Sequence, residues 1–117
     1  MSRPMLAQEK ITPGVTESVA KMHRATVDEV AATVARDHLV VVGMKQNPVV
    51  KKARQLLADK GFTYTYLEYG SYLGEWNRRL AIKLWAGFPT FPMVFVDGTL
   101  IGGNAELQAL AAEGKLA

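Results

Sequence analysis

The residues of this chain that could do chemistry gather at two turns, and the sulfur that would be most useful there is missing. The first turn lies in Trp85 to Leu107, W-A-G-F-P-T-F-P-M-V-F-V-D-G-T-L-I-G-G-N-A-E-L. Pro92 stands directly before an apolar run and has no donor for a sheet ladder. A cis Phe91-Pro92 bond would turn the chain sharply and leave the backbone of Phe91 open for an incoming peptide to pair with. Taken alone the proline reads as a trans strand starter, since only ~5% of X-Pro bonds are cis. The second turn is Asn47-Pro48, where Asn is a preferred helix cap and Pro a preferred first helical residue. Cysteine is absent, which excludes disulfides, thiolate metal ligation and thiol redox chemistry by the chain's own side chains.

Other reactive residue types read as ordinary. His23 and His38 are far apart and without metal-ligand company. Ser71 has no base beside it in sequence, so nothing supports a hydrolase triad. Lys51-Lys52-x-Arg54 reads as a solvated helix face able to recruit an acidic partner, not as a nucleic-acid patch. Trp76 and Trp85 read as core anchors. Tyr64, Tyr66, Tyr69 and Tyr72 fall along and beyond a half-exposed strand.

The elements that must position the two turns follow from periodicity. Leu39 to Val42 is a β-branched apolar run suited to a central strand buried on both faces. A loop through Gly43-Met44-Lys45-Gln46 leads to the helix at Pro48. Its buried stripe is Val49, Val50, Ala53, Leu56 and Leu57, and Gly61 supplies its left-handed stop. Thr63 to Tyr69 reads as a strand. A helix from about Tyr72 to Trp85 is expected to pack through Leu73, Trp76, Leu80 and Leu84, with Arg78, Arg79 and Lys83 on its polar side. Met93 to Val96 is a strand, Asp97-Gly98 a two-residue hairpin turn, and Thr99 to Ile101 its return. Asn104 is expected to cap a last helix whose apolar side is Ala105, Leu107, Leu110 and Ala111. Upstream, Thr26 with Glu29 matches a capping box that opens a helix faced by Val27, Val30, Ala31 and Val34. Residues 1 to 25 form an N-terminal extension, partly mobile or a short helix.

At 117 residues, 49% hydrophobic and 21% charged, the composition is that of one ordinary globular domain, here residues 26 to 117. A net charge of +3 permits acidic small molecules and does not argue for nucleic acid. No apolar run reaches the ~20 residues of a membrane span. The first ten residues carry charges and no apolar segment of signal-peptide length, so the expected compartment is cytoplasmic.

V-V-V-G-M-K-Q-N-P-V-V-K-K-A-R-Q-L-L followed by W-A-G-F-P-T-F-P-M-V-F-V-D-G-T-L-I-G-G resembles a glutaredoxin, most nearly the monothiol type. The resemblance runs from about Ala25 to the C-terminus. It implies an α/β thioredoxin-like fold, a four-stranded mixed sheet flanked by helices, with a cis proline at Pro92. The family's activity is glutathione-dependent thiol–disulfide exchange by a cysteine at a helix N-terminus, where amide donors and the helix dipole lower its pKa. Family members read C-P-Y-C or C-G-F-S there; this chain reads Asn47-Pro48-Val49-Val50. A carboxamide can neither attack a disulfide nor ligate an iron–sulfur cluster in a thiolate's place, so no such cluster is expected. Asn47 can instead satisfy the donors that would have activated the sulfur.

The resemblance carries a glutathione site over in part. Thr90, Phe91 and Pro92 match the family's T-x-P corner, and counting back from it puts Arg79 at the family's basic helix position. Lys45 is the candidate for the Lys before the cysteine, although gapless counting shifts it by one. Gly102, Gly103, Asn104 and Ala105 stand where Gly-Gly-Cys-Asp is usual, so Ala105 replaces the carboxylate that takes the γ-glutamyl amine. That loss weakens glutathione by ~1–3 kcal/mol if the amine stays desolvated. The implied ligand-binding set is Lys45, Asn47, Arg79, Thr90, Phe91, Pro92, Gly103 and Asn104, with no catalytic residue and no metal.

Three readings compete. The first is non-redox binding of glutathione, an extended peptide or a protein partner across the Asn47/Pro92 groove. The second is the family's oxidoreductase activity, against which the missing thiol argues directly. The third is a structural or oligomerising protein with a vestigial site.

Overall fold

The computed structural model describes residues 6–71 and 74–115. After a short 3₁₀ turn come α1 (Pro13–Lys21), α2 (Arg24–Arg36), β1 (Leu39–Gly43), α3 (Pro48–Asp59), β2 (Thr65–Glu68) and α4 (Trp76–Ala86). The chain closes with β3 (Met93–Val96), β4 (Thr99–Gly102) and α5 (Asn104–Ala112). The strands form one mixed sheet in the order β2-β1-β3-β4. β1 runs parallel to β2 and antiparallel to β3, and β3 and β4 form a hairpin. This is the expected thioredoxin-like α/β arrangement.

Strand pleating decides which helices cover which face. Val40, Val42, Met93 and Phe95 point to one side, where they meet Val30 and Val34 of α2 and Ile82 of α4. Leu39, Val41 and Val94 point to the other, against Ala53 and Leu57 of α3 and Leu107 of α5. All five residues of β1 are buried, as its unbroken apolar run requires of a central strand. The hairpin turn has Asp97 at φ 50° and Gly98 at φ 80°, the left-handed pair that a tight two-residue connection needs.

Several expectations are corrected. The α2 helix starts two residues before Thr26, after His23 at φ 43°. Thr26 is therefore buried inside the helix, where its hydroxyl accepts from Arg78 Nε at 2.9 Å, and Glu29 accepts from the Tyr69 hydroxyl. Val49 is exposed, leaving Val50, Ala53 and Leu57 as the buried residues of α3. Gly103, not Asn104, precedes the first turn of α5, and Ala105 is exposed.

The largest correction concerns α4, which begins at Trp76 (Tyr72 and Leu73 lie outside the described residues). Its buried residues are Arg79, Ala81 and Ile82. Trp76, Leu80, Leu84 and Trp85 are instead 63%, 37%, 51% and 41% exposed; Trp76 is no core anchor, while Trp85 still packs its ring on buried Phe95, 5.9 Å between ring centres. Of the tyrosines, Tyr69 is buried at 3% while Tyr64 and Tyr66 are half-buried. Among the described residues no helix is long and apolar enough to cross a membrane.

Candidate functional site

Register brings the two reactive turns to one end of the sheet. Val42 pairs with Met93, so β1 leaves the sheet where Pro92 enters it. Met44 and Val50, on either side of Asn47, share a buried cluster with Phe91. The Phe91-Pro92 peptide bond is cis, and Phe91 and Pro92 are both buried while Thr90 is exposed.

Asn47 is the N-cap of α3. Its backbone is extended, and Oδ1 accepts from the amides of Val49 at 2.9 Å and Val50 at 3.1 Å. A single side-chain oxygen thus takes up the amide donors that make a helix N-terminus electropositive, a cap worth about 1 kcal/mol. Gly43 allows the close approach behind it: a Cβ there would lie 2.8 Å from Val50 Cγ1 and 3.1 Å from the Tyr66 hydroxyl. Tyr66 donates to Glu68 at 2.9 Å and lies under the Arg54 guanidinium, 3.9 Å from its ring centre. Burial first, and the Glu68 carboxylate second, raise its pKa far above the ordinary tyrosine value. The phenol next to the helix start is a neutral donor, not an activated phenolate.

Lys45 is exposed on the β1–α3 loop, and its amide donates to Gly70 O at 2.7 Å. Gly70 is also where Arg79 arrives, since a Cβ on it would stand 3.0 Å from Arg79 Nη1. The Lys45 amide and the Arg79 guanidinium therefore both meet Gly70. Their chemistry differs. Arg79 is only 8% exposed, and Nη1 donates to Tyr69 O at 3.1 Å and to Gly74 O at 2.6 Å. The guanidinium holds the β2–α4 connection closed from inside.

Gly103 packs beneath the proline corner, where a Cβ would come within 3.3 Å of Pro92 O. Its amide donates to Glu106 Oε1 at 2.8 Å, which forms the side-chain half of a cap. Asn104 is turned along its own helix and accepts from Gln108 Nε2 at 3.2 Å. Two residues at this corner escaped the sequence reading. Lys83 Nζ sits 5.6 Å from the Phe91 ring centre, and the Phe88 ring is 3.8 Å from where a Gly103 Cβ would be. Lys83 lies one helical turn after Arg79, the only signal that could have marked it. Among the described residues no group of three or more His, Asp or Glu is placed to hold a metal ion. A cavity of about 410 Å³ opens away from this corner, between α1, α2 and α4.

No protein-family model matches the chain. Over 94 residues it is 46% identical to a glutaredoxin-like protein of Dictyostelium discoideum, covering 80% of this chain and 76% of that one. It is 28% identical over 106 residues to bovine mitochondrial glutaredoxin-2, covering 86% of this chain and 64% of the relative. The fold superposes on a buckwheat glutaredoxin–glutathione complex with a TM-score of 0.66 at 23% identity, over 80% of this chain and 84% of that one.

Proposed function

The chain belongs to the glutaredoxin family, and from that premise we propose that it binds glutathione, or an extended peptide presented in the same way, without thiol chemistry of its own. The observation that carries this reading is the Asn47 cap. In a chain with no cysteine, the oxygen at the start of α3 already accepts the amides of Val49 and Val50. The helix start is chemically quiet while the scaffold around it is intact.

The binding surface proposed is the one the family pattern marks. An extended ligand could add its own N–H and C=O groups along the Thr90–Pro92 corner, which matches the family's T-x-P turn. Gly103 lets the backbone pack closely against the corner, since a Cβ there would come within 3.3 Å of Pro92 O. Lys45 is the exposed cation for a ligand carboxylate, and charge assistance makes that bond stronger than a neutral one. Arg79 acts at one remove, by steadying the loop against which Lys45 is held. The glutathione bound by the buckwheat relative shows that a protein of this fold accepts such a tripeptide. Thiol–disulfide exchange requires a sulfur nucleophile, and here the only one available would be the ligand's own.

Isothermal titration with glutathione tests the binding, and reduction of hydroxyethyl disulfide in the presence of glutathione tests the chemistry. The expected result is saturable heat at millimolar ligand, lost in Lys45→Gln, with no turnover above the protein-free rate. Absence of heat at millimolar glutathione, or turnover above background, overturns the reading.

A further inference from the structure

The net positive charge of the chain resides in one segment, from β1 through most of α3. Residues 39–58 contain Lys45, Lys51, Lys52 and Arg54 and no Asp or Glu. The other 10 of the 14 basic residues and all 11 acidic ones lie elsewhere, so this segment carries +4 and the remainder −1. The ion pairs found among the described residues all fall outside it. Beside α3 lies a shallow groove of about 350 Å³, lined by Lys51, Arg54, Gln55, Ala58 and Tyr64. None of these belongs to the Asn47/Pro92 corner. We propose that this groove is a separate binding site, which docks an acidic segment of a partner protein by taking its carboxylates between Lys51 and Arg54.

The arginine is held ready for such a group. Its guanidinium lies 3.9 Å from the Tyr66 ring centre, and its Nε donates to the Tyr64 hydroxyl at 3.1 Å. Stacking and that one bond fix the plane of the fork, and its Nη nitrogens meet no acceptor among the described residues. A guanidinium already oriented loses less freedom on meeting a carboxylate, which it grips through two bonds. Lys51 is exposed and pairs with no acid among the described residues. The Tyr64 hydroxyl accepts from Arg54, so its own proton is left to donate. Lys51, Arg54 and Tyr64 thus present donors and positive charge, and a carboxylate, which only accepts, is the complementary group. Lys45 and Lys52, outside the groove, add long-range attraction that speeds the encounter.

The surroundings favour a peptide over a nucleic acid. Asp59 accepts from the Gln55 amide at 2.7 Å, and Glu68 accepts from the Tyr66 hydroxyl at 2.9 Å. A polyphosphate carries a charge at every step and would have to pass these carboxylates. The acidic side chains of a peptide can be spaced to avoid them. Base stacking needs an open ring, and the Tyr66 face is already covered by Arg54.

Nuclear magnetic resonance titration of the full chain with a blocked hexaglutamate peptide tests the proposal. The expected result is saturable shifts centred on Lys51, Arg54, Gln55 and Tyr64, with the dissociation constant raised at least about fivefold by Lys51→Glu and by Arg54→Gln. Arg54→Lys, which keeps the charge and loses the planar fork, should recover only part of what Arg54→Gln loses. Raising the salt about tenfold should weaken binding to the parent, and Lys21→Gln on α1 should leave it unaltered. Lys51 and Arg54 are exposed, so circular dichroism should show unchanged folding. Absence of shifts at millimolar peptide in low salt overturns the proposal, and so does an affinity that Lys51→Glu and Arg54→Gln both leave unchanged. Full affinity in Arg54→Lys overturns it too, as the mark of a diffuse charged surface. So does an oligothymidylate that binds the same residues more tightly than the peptide.

Discussion

Putting a cysteine where Asn47 stands is the sharpest probe of whether the helix start is still built to activate sulfur. In Asn47→Cys the thiol would meet the same donors that Oδ1 now accepts, the amides of Val49 and Val50 at 2.9 and 3.1 Å. A hydrogen bond to a charged acceptor contributes about 1.5–3 kcal/mol, and the helix dipole adds about 0.3–1 kcal/mol. Sulfur stands one bond nearer the backbone than Oδ1, so the amides are reached at a longer distance and the lower end applies. A net preference for the thiolate of about 2–3 kcal/mol corresponds to roughly two pKa units. From an ordinary value near 8.5 the thiol should fall to about 6–7. Ultraviolet thiolate absorbance against pH measures this directly, and the pH dependence of alkylation by iodoacetamide measures it a second way.

The same substitution makes a linked prediction about stability. With its folded pKa depressed, the thiolate stabilises the fold above the unfolded pKa, and that contribution is lost as pH falls through the folded one. Below about pH 6 the variant should lack the cap and be about 1 kcal/mol less stable than the parent. Between about pH 6 and 8.5 the gap should close by roughly 2 kcal/mol or more. Urea denaturation of both proteins across that window, compared as a difference, isolates the effect. A thiol titrating at or above about 8.5, or a stability gap that does not change with pH, would refute the claim that this helix start is a preserved anion site.

Other perturbations test the frame around it. Arg79→Met should cost about 2–3 kcal/mol in urea denaturation, because the buried carbonyls of Tyr69 and Gly74 lose a charged donor; a cost under about 0.5 kcal/mol would mean the arginine is not structural. Gly102→Ala should destabilise by more than about 2 kcal/mol, combining strain at φ 125° with a Cβ 2.2 Å from Glu106 Oε1. Because that clash already displaces Glu106 from the Gly103 amide, the further cost of Glu106→Ala should be smaller in the Gly102→Ala background than in the parent. The Arg36 guanidinium first, and the Thr65 hydroxyl next, hold the Asp37 carboxyl below its ordinary 3.8. A depressed carboxylate stabilises the fold above 3.8 and loses that contribution as pH falls through the folded pKa. Asp37→Asn should thus lose less stability than the parent on acidification below about pH 4, and parallel acid limbs would contradict this.

What the sequence made legible, and what it hid, divides along a physical line. Local chemistry was readable wherever one residue type answers one backbone demand. Asn47-Pro48 announces a capped helix, Asp97-Gly98 a tight hairpin, and Leu39 to Val42 a central strand, and the structure has each of them. The cis bond was not readable from residues alone, since nothing local to Phe91-Pro92 overrides the ordinary preference for trans; family resemblance supplied it. The capping box at Thr26 failed for a different reason. Its two side chains found better partners in Arg78 and Tyr69, 52 and 40 residues away, and sequence spacing carries no information about such partners.

The reversed reading of α4 follows from the same limit and bears most on function. Periodicity assigns the apolar stripe to the core and the arginines to water, on the premise that hydrophobicity decides which face is buried. Here a buried guanidinium wins, because the connection after β2 leaves the carbonyls of Tyr69 and Gly74 facing inward and unpaired unless Arg79 meets them. Satisfying them rotates Ala81 and Ile82 to the sheet and turns Trp76, Leu80 and Leu84 outward. That internal hydrogen-bonding requirement withdraws from the surface the cation that the family pattern would assign to a ligand carboxylate. If Arg79 is structural in this sense, Arg79→Met should lower stability and weaken glutathione binding together, through a loosened loop, whereas Lys45→Gln should weaken binding and leave stability unchanged. Selective loss of glutathione binding in Arg79→Met, with stability intact, would return the guanidinium to the ligand site and refute the inward assignment.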